Sequence, residues 1–444
     1  MAELGAAIEG LAPAEIRAIQ SERLAAQWAY LWARSPFYRE KLGAAGLGPD
    51  SVRRIEDLTR VPFTVKDEIR KSLAARPPLG RHLAADPGDI VQFQASGGTT
   101  GRPSYVGLTA RDRANWAEIT RRTLWAHGFR PTDRVLQALG MSRCWVGGVP
   151  VIQGLEALGA ACIPAGAEPG TTWLLHTISD LSPNGLVATP NFAVYLGNQA
   201  REVLGVDARE LSIERIYVGG EPGGGIPEFR RHAEELWGAK MHEVMGGTDL
   251  SPVMWAECED QSGMHFVAHE FIYWELIDGA GDPVEITTGA TGELVYTHLD
   301  REATPVLRFR HSDIVEVLDT ECCCGRTTPK IRCFGRTDDM MIIKGVNVFP
   351  TALQDIVLGF RPATSGSVRI IKHEPEYAWP GPLHVRVERG EERSADEDDE
   401  LRSKLAQAIS DMCRVRARVE VVSFGTYPSP GREKVRIIEK VYET

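Results

Sequence analysis

Between about residues 90 and 250, short apolar runs alternate with longer stretches whose apolar positions recur every three or four residues. The runs are Ile90–Gln94, Arg134–Leu139, Ala161–Pro164, Gly185–Ala188 and Arg215–Val218. This alternation predicts parallel strands joined by crossover helices, a sheet covered on both faces. Thr109-x-x-Asp112 has the form of a capping box that opens one of those helices. Upstream, residues 14–45 carry an amphipathic helical pattern, interrupted at Ser35-Pro36-Phe37-Tyr38-Arg39. Downstream, FIYWELID and GELVYTHL, within residues 270–318, follow one another without helices, which predicts a smaller antiparallel subdomain. A break falls near Gly335–Asp339. Beyond it come MMIIKG, a helix from Pro350, two strands, a charged linker, a helix near 399–414 and a final strand, together a small α+β unit.

A length of 444 residues suits two or three domains of this kind. With 43% hydrophobic and 25% charged residues, the chain has a soluble, globular profile and a core that needs no disulfide support. The formal charge of −11 argues against nucleic acid as a general partner. The first residues carry acids early and no long apolar run, unlike a secretory signal, and no window approaches the roughly 18 apolar residues of a membrane span. The cytoplasm is therefore the expected location, where eight cysteines are thiols or metal ligands rather than disulfides.

The chemistry concentrates in VQFQASGGTTGRPSYVGLT, Val91–Thr109. Gly97, Gly98 and Gly101 let the backbone turn and expose N–H groups, while Ser96, Thr99, Thr100 and Ser104 supply hydroxyls. Arg102 closes the loop. No Lys-Ser or Lys-Thr follows the last glycine, so this is not a Walker loop, yet the donor set suits the phosphates of a nucleoside triphosphate.

The loop resembles the phosphate-binding signature of adenylate-forming enzymes: acyl-CoA synthetases, peptide adenylation domains and luciferases. Other segments match that superfamily in order. Tyr217-Val218-Gly219-Gly220-Glu221-Pro222 resembles the loop that packs on adenine. Met245-Gly246-Gly247-Thr248-Asp249 resembles the motif whose aromatic flanks adenine, whose hydroxyl meets the α-phosphate and whose acid holds Mg²⁺; here Met245 replaces the aromatic and Asp249 the usual Glu. Arg308-Phe309-Arg310-His311-Ser312-Asp313 matches the ribose-binding motif, Asp313 having two acceptor oxygens for the hydroxyls. Gly335–Asp339 matches the hinge, with Arg336 near ribose or phosphate and Asp338 as pivot. The resemblance thus implies an adenylation domain, residues 1–337, and a mobile C-terminal domain, residues 338–444. Lys344, Gly345 and Asn347 match the loop that swings in for transfer to coenzyme A.

SPFYREKLGAAGL, IEDLTRVPFTVKDEIR and IIKGVNVFP narrow the resemblance to phenylacetate–coenzyme A ligases, over residues 30 to 440. That family activates aryl or arylacetic acids with ATP through an acyl-adenylate and passes the acyl group to coenzyme A. Two other readings stay open: an acceptor that is an amine, an alcohol or a carrier-protein thiol, and a ligand sensor without catalysis. The expected acyl pocket comprises Ser142, Trp145, Gly147, Gly219 and Gly247, with Trp145 either stacking on an aromatic ring or filling core. The resemblance implies a lysine near the end of the chain as the adenylation cation; Lys434 is the expected residue, with Arg432, beside Gly431, as its rival. Relatives often form homodimers. Finally, Cys258, His265, Cys322 and Cys324 can surround a structural zinc; Cys323 is the spare thiol and His269 the competing imidazole.

Overall fold

A computed structural model describes residues 4–96, 104–337, 341–343, 346–373, 378–379, 382–427 and 437–441. The N-terminal pattern forms two helices, Pro13–Arg34 and Pro36–Ala44. Pro36 occupies the first position of the second helix, where its missing N–H costs nothing, and the Ser35 hydroxyl accepts from the Tyr38 amide. Leu24, Trp28, Leu31, Tyr38 and Leu42 are fully buried together against Leu299 and Leu307.

The central feature is an eleven-stranded sheet. Its order is Ile272–Ile277, Thr291–His298, Phe309–Asp319, Lys330–Arg336, Met264–Phe266, Ser251–Glu257, Lys240–Gly247, Arg215–Val218, Gly185–Ala188, Arg134–Gln137 and Ala161–Pro164. The last five strands pair in parallel, and the others antiparallel. The α/β class expected from the sequence is present, with one refinement. The antiparallel strands continue the parallel sheet through Lys240–Gly247, which pairs with Arg215–Val218 on one side and Ser251–Glu257 on the other. A second difference concerns Ile90–Gln94. Gln92–Ala95 stands outside the sheet and pairs antiparallel with Tyr105–Leu108, so the glycine-rich segment joins two arms of a hairpin.

The capping box forms as expected. Thr109 accepts from the Asp112 amide and Asp112 from the Thr109 amide, which starts the helix Ala110–Ala126 directly after the hairpin. Asp112 also accepts from the amides of Glu302 and Ala303, at 2.8 and 2.9 Å. One buried carboxylate thereby ties the hairpin's exit to the antiparallel half of the sheet.

The C-terminal unit has a four-stranded sheet, ordered Ala417–Val422, Leu383–Arg389, Thr364–Lys372 and Ile438–Lys440. The helices Pro350–Leu358 and Asp398–Cys413 cover it through Leu353, Val357, Leu401, Leu405 and Ile409. Among the described residues, no helix is long and apolar enough to cross a membrane.

Asp112 is 1% exposed and satisfies backbone groups from two segments, so Asp112→Ala leaves buried donors without acceptors. It is expected to lower unfolding free energy by about 3–5 kcal/mol, measured by urea denaturation. A change below about 1 kcal/mol would mean the hairpin exit is held by other contacts.

Candidate active site

In open α/β sheets, ligands sit beyond the carboxyl ends of parallel strands, where neighbouring connections diverge. Here that point lies between Arg134–Gln137 and Gly185–Ala188: the first strand connects outward to Ala161–Pro164, and the second connects the other way to Arg215–Val218. The segments leaving the strand ends are 138–148, 189–191, 219–225 and 248–250, and they carry most of the residues singled out from sequence.

The hairpin loop is closed at its base by Ser96 and Ser104. The Ser96 amide donates to the Ser104 carbonyl at 3.0 Å, and the Ser104 amide donates to Ser96 Oγ at 3.2 Å. Gly97, Gly98, Thr99, Thr100, Gly101 and Arg102 lie outside the described residues.

Thr248 and Asp249 form the turn after Lys240–Gly247. Asp249 is buried and ion-paired with Lys66, the first residue of the helix Lys66–Ala75. Burial alone would raise the Asp249 carboxyl; the Lys66 ammonium, helped by His311 and His82, outweighs it and holds the group below its ordinary range. Asp249 is therefore a carboxylate, the form a magnesium ion needs. Lys66 reaches it because Thr64 pairs with the sheet beside Phe309: its amide donates to the Arg308 carbonyl, and its own carbonyl accepts from Arg310, both at 2.9 Å. Arg308 secures the same segment from beneath, donating to Glu275 and to the Val61 carbonyl with its charged plane over Phe63.

Asp313 stands on Phe309–Asp319, the strand whose His311 acts on Asp249. His311 Nδ1 lies 2.5 Å from Asp313 Oδ2, and Arg336 donates to Oδ1 at 3.1 Å. Asp313 and Arg336 are cross-strand partners in the register, which is why two residues distant in sequence meet. The His311 ring also packs where Gly247 leaves room; a Cβ on Gly247 would come within 2.3 Å of it. Met245 is half-buried against the aromatic cluster of the antiparallel strands.

Trp145 lies at the meeting of three loops. Its backbone pairs with Ala95 at the base of the hairpin, and its indole rests over Gly147 and Gly220. A Cβ on Gly147 would lie 2.6 Å from the ring, and Gly220 holds φ +88, a conformation that suits glycine. Gly219 abuts Val244, and Glu221 accepts from the Asn191 amide and side chain, tying the loop to the helix Pro190–Asn198. Ser142 is exposed, and its amide donates to Glu168.

Away from these loops, Cys258, His265, Cys322 and Cys324 place four donor atoms within 4.8 Å of one another. Tetrahedral zinc with sulfur at about 2.3 Å and nitrogen at about 2.0 Å separates its ligands by about 3.6–3.8 Å. Cys258 and Cys322 sulfurs lie 3.7 Å apart, and Cys324 lies 3.6 Å from His265 Nε2. His265 Nδ1 donates to the Thr328 carbonyl at 3.0 Å, which turns Nε2 toward the thiols. His269 is buried edge-on to Phe266, outside this cluster, and Cys323 is exposed.

Asp338, Lys344, Gly345, Arg432 and Lys434 lie outside the described residues; Asn347 is described only as backbone of the strand Val346–Val348. Two residues of the site escaped the sequence reading. Lys66 stands in a quoted motif but is 183 positions from Asp249, with nothing local to mark the pair. His311 stands two residues before Asp313, on the same strand face, a spacing that could have flagged it.

The chain matches the AMP-binding enzyme family over residues 36–298 and the AMP-binding enzyme C-terminal domain over residues 345–440. It is 33% identical over 445 residues to the phenylacetate–coenzyme A ligase of Thermus thermophilus, covering 97% of each chain. With the Escherichia coli phenylacetate–coenzyme A ligase it shares 29% over 436 residues, covering 97% of this chain and 96% of the other. The structure resembles 2-hydroxyisobutyryl-CoA ligase in its postadenylation state with R3-HIB-AMP, at TM-score 0.89 and 29% identity, covering 98% of this chain and 91% of that one. The thioesterification state of that enzyme, with 2-HIB-AMP and CoA, gives 0.72 at 30% identity with the same coverage, so the present arrangement is nearer the former. The chain therefore belongs to the AMP-binding enzyme family, on its phenylacetate–coenzyme A ligase branch, and is an AMP-forming acid–coenzyme A ligase that uses ATP and coenzyme A.

Proposed function

We propose that the acid is an aryl or arylacetic acid, bound with its carboxylate toward the turn at Thr248 and its ring toward Trp145. The observation that carries this reading is the meeting, at one end of the sheet, of a buried carboxylate–ammonium pair, a ribose-suited carboxylate and an indole face. The relatives at 29–33% identity named phenylacetate–coenzyme A ligase supply the class of acid.

In the first half-reaction, a carboxylate oxygen attacks the α-phosphorus of ATP. The bond to the β-phosphate bridging oxygen breaks, and pyrophosphate leaves. Ser96 through Arg102 hold the β- and γ-phosphates, and Thr248 meets the α-phosphate. Asp313 accepts from the ribose hydroxyls, with Arg336 beside it. Glycines 219, 220 and 246, Glu221, Pro222 and Met245 enclose the adenine. Magnesium, held through Asp249, would supply charge to the departing pyrophosphate. Asp249 suits it, being an ionised oxygen donor, and the ion tolerates water in place of the methylene that Glu would add. Lys66 fixes that carboxylate and stands ready to face phosphate oxygens. Lys434, rather than Arg432, neutralises charge at the α-phosphorus.

The C-terminal domain then turns about Asp338. Lys344, Gly345 and Asn347 come to the site, the coenzyme A thiolate attacks the acyl carbonyl, and AMP leaves. Such rearrangement can limit turnover. Zinc at Cys258, His265, Cys322 and Cys324 would be structural, since four protein ligands leave no open position.

The reading predicts pyrophosphate exchange into ATP that depends on phenylacetate or a benzoate, and AMP release at full rate only with coenzyme A. Exchange restricted to short aliphatic acids would overturn the acid class; full AMP release on adding an amine or alcohol would overturn the acceptor. Lys66→Met is expected to lower exchange by roughly 10–100-fold and to raise the magnesium concentration for half-maximal rate, with partial recovery in Lys66→Arg. Unchanged exchange kinetics in a folded Lys66→Met protein would remove Lys66 from the site.

A further inference from the structure

The cysteine run leaves one thiol without a role. Cys323 is exposed, and its sulfur lies within 4.8 Å of both the Cys322 sulfur and a carboxylate oxygen of Asp260. We propose that Cys322, Cys323 and Asp260 form a second, open metal site that shares the Cys322 sulfur with the buried tetrad. The inference rests on the reading of that tetrad as a zinc site.

The two sets differ in the way an exchangeable site differs from a closed one. Cys258, His265 and Cys324 are buried, whereas Cys323 and Asp260 are exposed and Cys322 is half-buried between them. Three protein donors leave a tetrahedral ion one position for water. A cleft of about 110 Å³ opens beside the set, lined among others by Cys258, Cys323, Cys324 and Asp260.

The local charge favours a cation. Asp260 and Asp319 share Lys330, whose ammonium lies 3.9 and 3.4 Å from them, and Glu259 lines the same cleft. Of the cleft's two guanidinium groups, Arg326 faces the Cys324 thiol of the tetrad, and Lys330 acts on Cys322, so both cations sit against thiols that would be thiolates. Arg326 also pairs with Glu9 at 2.6 Å, and Arg130 lies over Trp125 while donating to the Trp125 and Phe129 carbonyls. Two thiolates and one carboxylate select a borderline or soft divalent ion, zinc or cadmium, over magnesium or calcium. Each thiol releases its proton to solvent on ligation. A thiolate has lone pairs enough to bridge two ions, so both sets can fill together. An ion in the open set already holds one tetrad ligand, and exchanging Cys323 and Asp260 for Cys258, Cys324 and His265 would carry it inward.

The test is zinc stoichiometry by equilibrium dialysis of the full-length protein against buffered free zinc. Wild type is expected to hold one tight ion and a second that is at least tenfold weaker. Cys323→Ser should keep the first and lose the second; Asp260→Asn should weaken the second by roughly tenfold or more. A wild type that stops at one ion at every zinc concentration, or a Cys323→Ser protein that still takes two, overturns the open site while leaving the tetrad standing. A wild type with no tight ion overturns the tetrad, and the shared site with it.

Discussion

Arg308 donates to Glu275 on one side and to the Val61 carbonyl on the other, with its charged plane 4.1 Å from the Phe63 ring centroid. Both partners of the ion pair are largely buried, and Arg308 itself holds φ +41, strained for a residue with a side chain. Such a backbone persists where surrounding contacts over-determine it. What they fix is the seating of residues 61–64 against the edge of Phe309–Asp319. Lys66 begins a helix two residues later, so the direction of its side chain toward Asp249 follows from that seating. The position of the Lys66–Asp249 pair thus rests on an arginine that takes no part in it.

The same strand brings the rest of the site together. Phe309–Asp319 presents His311 and Asp313 on one face, its partner Lys330–Arg336 delivers Arg336, and its continuity with Lys240–Gly247 through the intervening strands fixes the Thr248–Asp249 turn. Glycines at 147 and 247 serve contact rather than flexibility: at each a ring, Trp145 or His311, lies too close for a Cβ, whereas Gly220 serves its φ of +88. An alanine at Gly147 or Gly247 would displace the ring it receives.

Local chemistry was legible in the sequence. The capping box at Thr109, the interruption of the N-terminal helical pattern at Ser35–Arg39 and the alternation of strands and helices from Arg134 onward depend on neighbours within a few residues, and each appears where its residues pointed. Cys258, His265, Cys322 and Cys324 were legible because ligand chemistry restricts the residue types, and the fold gathers those four while leaving His269 and Cys323 aside. What the sequence hid is long-range and non-periodic. The Lys66–Asp249 pair joins segments with no shared pattern, and the antiparallel strands carry the same alternation whether they stand alone or extend a parallel sheet. Ile90–Gln94 misled because a short apolar run cannot distinguish a central strand from a hairpin arm, here closed at its end by Ser96 and Ser104.

The central claim is that the acid's own oxygen attacks the α-phosphorus beside Thr248 and Asp249. It is tested most directly by supplying phenylacetate labelled with ¹⁸O in both carboxylate oxygens, with ATP, magnesium and coenzyme A, and weighing the nucleotide product. The account predicts AMP carrying one ¹⁸O on its phosphate, with pyrophosphate unlabelled. Unlabelled AMP, or ADP with labelled phosphate, would mean that activation takes another route and that these residues do not build an adenylation site.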